Sequence, residues 1–119
     1  MRHKTMIGGA LGTALFATAL IAAPGAAAAA TLGSEAKPVH ADMPAGQRAY
    51  LDRLRCADGN APTYQRAGNV GPGPDGHIVD LYEVLCTDSE PGRSEIYMDM
   101  YHGGHVEDEA VPGFAIVPG

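Results

Sequence analysis

Hydrophobic residues follow two patterns along this chain of 119 residues: one long run at the start, then short alternating segments. The run extends from Thr5 to Leu32 without a charged residue and follows a positive head that includes Arg2 and Lys4. Its apolar centre ends at a Pro-Gly pair, and five alanines come next. This order is typical of a secretory signal peptide with small residues before the cleavage site. We therefore predict a signal peptide over residues 1–30 and a secreted or periplasmic protein that starts near Thr31.

An uncleaved membrane anchor is the alternative, because an apolar run of about 18 residues can just span a bilayer. The small residues after the Pro-Gly pair, and the lack of a positively charged stop behind them, favour cleavage. We therefore expect no stable membrane anchor in the mature protein.

The pattern changes twice after the leader. Residues 31–41 are low in hydrophobicity and show no periodicity, so we predict a flexible linker there. Asp42 can then cap a helix, and Pro44 is tolerated in its first turn. Apolar residues at helical spacing predict that this helix runs from Ala45 to Cys56.

Segments rich in Ile, Val, Leu and Tyr predict an antiparallel hairpin of strands 78–87 and 94–102. Shorter segments predict further strands near 63–70 and 113–117, and the Gly/Pro-rich residues 71–76 suit a turn. We therefore predict an α+β fold in which residues 42–119 form one small domain, with an N-terminal helix packed on a small antiparallel sheet.

A trial register that places Val84 opposite Ile96 divides the hairpin residues between two faces. The face that the helix covers defines the predicted core: Tyr50, Leu54, Ile78, Tyr82, Val84, Ile96, Met98 and Met100. Asp80 lies on the same face. Either the register is shifted by one residue, or Asp80 is buried with a partner such as Arg48 or His102.

Cys56 and Cys86 are the only cysteines, and both belong to the predicted mature part. In a small exported domain two cysteines most simply form one disulfide, which we predict here. A redox role would favour cysteines close in sequence, as in C-x-x-C, and these are 30 residues apart.

The charge of the mature chain limits its partners. Once Arg2 and Lys4 leave with the leader, six Lys and Arg face fourteen Asp and Glu, a net charge of −8. Such a balance argues against nucleic acid, whose binding needs clustered Lys and Arg. The acids concentrate between Asp80 and Glu109, which could steer a basic protein, although a solvated acidic face is the simpler explanation.

Two histidines give the strongest metal signal in the sequence. His102 and His105 flank a Gly-Gly pair, and a chain reversal there could bring both imidazoles to one ion, with His77, Asp99 or Glu107 nearby. The alternative is a solvent-exposed turn, because the pair lacks the i, i+4 spacing of helical zinc sites. We predict no cofactor and keep His102 and His105 as candidate ligands.

Catalytic patterns are weak. No serine lies in G-x-S-x-G, both thiols are assigned to the disulfide, and the consecutive acids 107–109 suit a solvated loop. So short a chain is also not expected to enclose a pocket of about 300 Å³ or more and still keep a core. We therefore expect a protein that is not an enzyme.

The second hairpin face suggests a surface for a partner. Tyr97, Asp99 and Tyr101 alternate on it, and tyrosine combines a large contact area with a polar end. A loop folded over this face would instead make it a second core. Our first hypothesis is a small exported non-enzymatic module that binds another extracytoplasmic protein, for example as an inhibitor of a basic enzyme. The alternative is a metal-binding exported protein that uses His102 and His105.

Overall fold

The computed structural model describes residues 29–119. The predicted signal peptide, except for its last two residues, lies outside this range and stays a prediction. Within residues 29–119, no helix is long and apolar enough to cross a membrane. The elements in chain order are β1 (Val39–His40), α1 (Met43–Arg53), β2 (Leu54–Arg55), β3 (Thr63–Pro72), β4 (Ile78–Leu85), β5 (Arg93–Asp99) and β6 (Ala115–Ile116).

The main sheet has four strands in the order β1-β5-β4-β3. Strands β3, β4 and β5 are antiparallel neighbours, whereas β1 runs parallel to β5. A second, two-stranded antiparallel sheet joins β2 to β6. One helix packed on a sheet, with one disulfide, confirms the predicted α+β class, although the sheet is mixed rather than purely antiparallel.

The helix begins directly after Asp42, at the predicted capping position, but ends at Arg53, three residues before the predicted Cys56. Pro44 lies in the first turn, where a missing backbone N–H costs little. The Asp42 side chain does not cap the helix but accepts a hydrogen bond from the Gly104 N–H, at 3.1 Å. The helix stops at Arg53 because Leu54 turns extended and pairs with Ile116 of β6.

The hairpin register differs from the predicted one by two residues. Ile96 pairs with Tyr82, and Val84 pairs with Ser94. Because side chains alternate with a period of two, a shift of two residues leaves each side chain on its predicted face. The assignment of the faces therefore holds although the pairing was wrong.

The core lies between α1 and the face of the sheet that carries Tyr82, Val84, Ile96 and Met98. Two predicted members are not fully buried: Ile78 is 43% exposed, and Met100 is half-buried. Both lie at the sheet end where β4 begins and β5 has ended. Buried residues that were not predicted complete the core: Val39, Ala41, Leu51 and Val111.

Residues 31–41 belong to the folded domain, whereas the sequence suggested a flexible linker. Val39 is fully buried and pairs with Met98. Upstream of it, the carbonyl of Gly33 accepts a hydrogen bond from the Tyr97 N–H, at 2.8 Å. The segment is polar on average, but Val39 of β1 and Ala41 directly after it are both buried, as the alternation of side chains along an extended chain allows.

Asp80 is buried, and its partners are not those suggested by the sequence. Its carboxylate accepts hydrogen bonds from Gln47 Nε2 at 3.0 Å and from Arg66 Nη2 at 2.7 Å. The Tyr82 hydroxyl donates to Gln47 Oε1 at 2.9 Å. A buried carboxylate needs such partners, because desolvation of an unpaired charge is strongly unfavourable.

Cys56 and Cys86 form the predicted disulfide, with a Cα–Cα distance of 5.8 Å. The bond joins the residue after β2 to the residue after β4, and both cysteines are buried. A disulfide is typical of an oxidising environment outside the cytoplasm. The predicted strand over 113–117 is present as β6, but it pairs with β2 in the second sheet and does not join the main sheet.

Candidate metal centre

Four of the five histidines gather at one end of the main sheet: His40, His77, His102 and His105. The topology explains why. The antiparallel pairing of β4 with β5 brings the residue before β4 close to the end of β5. The parallel pairing of β1 places His40 opposite Asp99, the last residue of β5.

Asp99 is the centre of this group and is 1% exposed. Its Oδ2 lies 3.0 Å from His77 Nδ1 and 3.1 Å from His102 Nε2. Its Oδ1 accepts a hydrogen bond from the Tyr101 N–H at 2.9 Å. Two imidazoles and one backbone N–H therefore replace the water that this carboxylate loses on folding.

These contacts also determine the charge state of Asp99. Burial opposes ionisation, but the hydrogen bonds from Tyr101, His77 and His102 outweigh it and hold the pKa of Asp99 below its ordinary value. A carboxyl pKa lowered on folding stabilises the folded state at neutral pH, and this stabilisation is lost as pH falls through the folded pKa. The site therefore presents a carboxylate anion at neutral pH.

His40 is biased towards its neutral form. Burial and the neighbouring His102 lower the pKa of His40, and together they outweigh the opposite effect of Asp75 and Asp99. The neutral imidazole is the form that binds a metal ion.

Among residues 29–119, two groups of three side chains have their donor atoms close enough together for each group to hold one metal ion. The inner triad consists of His77, Asp99 and His102, and the outer triad of His40, Asp75 and His102. Within each triad the donor atoms lie within 4.8 Å of one another. His102 belongs to both, and in both it offers Nε2.

The orientation of the rings favours the inner triad. A metal ion lies near the plane of each imidazole that binds it, because the nitrogen lone pair lies in that plane. The planes of His77 and His102 cross at 69°, so one point can lie in both. The rings of His40 and His102 are stacked at 3.6 Å and 7°, so no single ion can lie in both planes.

The structure separates the two histidines that the sequence suggested as ligands. His102 belongs to both triads, whereas His105 belongs to neither. The Nε2 of His105 lies 3.3 Å from Glu107 Oε1, and its ring packs edge-on to His40.

The three residues of the predicted binding surface differ in exposure and do not form one exposed patch. Tyr101 is 47% exposed and its ring lies 5.5 Å from that of His77, while Tyr97 is half-buried. Asp99 is buried in the inner triad and is not part of an exposed patch. Val79, on the same face, is buried where the loop at Gly73 passes over it.

A half-open cavity of about 490 Å³ lies beside the histidines, between α1 and residues 104–107. Small and apolar groups line most of it, including Ala45, Ala49 and Val106, with His40 and His105 at its edge. The sequence-based expectation concerned an enclosed, deep pocket; this cavity is half open to solvent, so that expectation stays a prediction.

Sequence reasoning missed His40 and Asp75 and named His77 and Asp99 only as neighbours. A signal for the last two was present: His77 directly precedes one strand of the predicted hairpin, and Asp99 lies near the end of the other. Antiparallel pairing brings these two positions together. Comparison of the chain with protein-family models, curated proteins and solved structures finds no match.

Proposed function

We propose that this protein binds one divalent transition-metal ion, zinc or copper(II), at the inner triad of His77, Asp99 and His102. The observation that carries the proposal is the buried Asp99 carboxylate, which faces two imidazoles whose planes cross. Imidazole and carboxylate donors suit both ions.

The spacing of the donor atoms supports this choice. A tetrahedral zinc ion with bonds of about 2.0–2.1 Å holds its ligands about 3.3 Å apart. The Asp99 oxygen lies 3.0 and 3.1 Å from the two ring nitrogens, so small shifts would admit an ion. The proton held between each imidazole and the carboxylate would leave to solvent as the ion binds. Three protein ligands leave a fourth position for water or another donor.

We place this activity outside the cytoplasm, in the periplasm or the medium. The disulfide suits an oxidising compartment, and the N-terminal sequence predicts export. Two expectations from the sequence stay predictions: that the protein is not an enzyme, and that another extracytoplasmic protein is its partner. For that partner, the exposed Tyr101 remains the candidate contact.

Calorimetric titration of protein purified without a histidine tag tests the proposal. We expect one zinc or copper(II) ion per chain, and a loss of binding in His102→Ala, because that residue belongs to both triads. His105→Ala is the matched control: it removes an imidazole from the same cluster but not from a triad, and should keep the affinity. Absence of a stoichiometric ion, or an equal loss in both variants, would refute the proposal.

A further inference from the structure

Two carboxylates approach the same nitrogen of His102 from different surroundings. Asp75 Oδ2 lies 3.2 Å and Asp99 Oδ2 lies 3.1 Å from Nε2. The Asp75 side chain is 44% exposed and that of Asp99 is 1% exposed. One nitrogen lone pair can bind one ion, so these two carboxylates cannot each share His102 with a separate ion.

His40 and Asp75 form a second, more exposed pair of donors, which we call the outer pair. His40 Nε2 lies 3.3 Å from Asp75 Oδ2, and both side chains are more than a third exposed. The outer pair can hold an ion without His102. Because the ring of His40 is stacked parallel on that of His102, both rings cannot bind the same ion in this arrangement.

We propose that the outer pair is the position at which a metal ion first binds before it passes to the inner triad. This inference rests on the proposed function. The ion would exchange its bonds to His40 and Asp75 for bonds to His102, Asp99 and His77, and the 3.2 Å between Asp75 and His102 makes the positions contiguous. Water fills the remaining positions while the ion is held by two protein donors.

The exposed outer pair suits the first step because an incoming cation must shed its water gradually. A half-exposed carboxylate attracts the ion while water still surrounds it, whereas Asp99 is reached only after dehydration. A group that serves only this transfer has a distinctive kinetic effect. It changes the rates of association and dissociation by the same factor and leaves the dissociation constant unchanged.

Stopped-flow measurement with copper(II) as the probe tests this. Bound copper should quench the fluorescence of Tyr101, whose ring lies 5.5 Å from that of His77. We expect Asp75→Asn to slow association by about tenfold, the lower end of the range by which electrostatic steering changes association rates. Dissociation should slow by the same factor, so that Kd stays unchanged. The matched control is Glu107→Gln, which removes one negative charge beside His105 without touching a triad.

Three results would overturn the inference while leaving the proposed function intact. A weaker Kd with faster dissociation in Asp75→Asn would make Asp75 a permanent ligand. Unchanged rates would remove its role, and equal slowing in Glu107→Gln would indicate general attraction by charge. If the unmodified protein binds no copper(II) or zinc, the proposed function and this inference fail together.

Discussion

Two aspartates on neighbouring strands are buried to almost the same degree but have different partners. Asp80 of β4 is 2% exposed and accepts hydrogen bonds from Gln47 of α1 and Arg66 of β3. Asp99 of β5 is 1% exposed, and two histidines and a backbone N–H hold it. Both satisfy the requirement that a buried carboxylate be hydrogen-bonded.

The two sets of hydrogen-bond partners differ in whether they can become metal ligands. An amide and a guanidinium keep their protons at any pH near neutrality, so the Asp80 network is fixed. A ring nitrogen of histidine can either carry a proton or present a lone pair, so the partners of Asp99 can be converted into metal ligands. Burial alone therefore does not identify a functional carboxylate. The chemistry of its partners does.

The largest loss of stability is expected from a substitution on the face of the sheet that carries Asp80. Tyr82 is 3% exposed and bonds to Gln47, so Tyr82→Ala should empty part of the core and lower the free energy of unfolding by about 3–5 kcal/mol. Tyr101→Ala, on the Asp99 side, removes a half-exposed ring and should lower it by less than about 0.5 kcal/mol. Denaturant unfolding of both variants measures the difference. Equal losses would mean that the Tyr101 side is a second core.

The disulfide should contribute nearly as much to the free energy of unfolding as the Tyr82 side chain does, and its removal should not affect the metal centre. It closes a loop across 30 residues, so Cys56→Ala/Cys86→Ala should lower the free energy of unfolding by about 3–4 kcal/mol. Cys86 follows the end of β4 that is farthest from His77, so the folded variant should bind metal as the unmodified protein does. Loss of metal binding in molecules that remain folded would show that the two ends of the strand are coupled.

Much of the fold could be predicted because it depends on local patterns. The helix, the hairpin and the disulfide follow from periodicity, turn residues and the cysteine count. The identity of the faces survived a wrong register because the error was two residues. The edge strand at Val39 was missed because two inward residues do not stand out in a polar segment.

The candidate site was harder to predict, because its members come from three separate parts of the chain. His102 was identified from its own neighbourhood, but His40 joins through a parallel strand and Asp75 through a loop. Neither connection has a local signature. Gln47 was missed as the partner of Asp80 for the same reason, since it lies 33 residues away on the helix.

The most direct test compares the two aspartates by the same isosteric change. Asp99→Asn and Asp80→Asn each remove one buried negative charge from neighbouring strands, and zinc affinity is then measured by calorimetry on the folded variants. Mutation of a residue that only hydrogen-bonds to a metal ligand typically weakens metal binding by roughly 10–100-fold. Loss of a direct ligand should weaken zinc binding by more, so we expect at least about 100-fold for Asp99→Asn. Asp80→Asn should bind zinc as the unmodified protein does. Equal affinities in the two variants would contradict the assignment of Asp99 as the metal ligand.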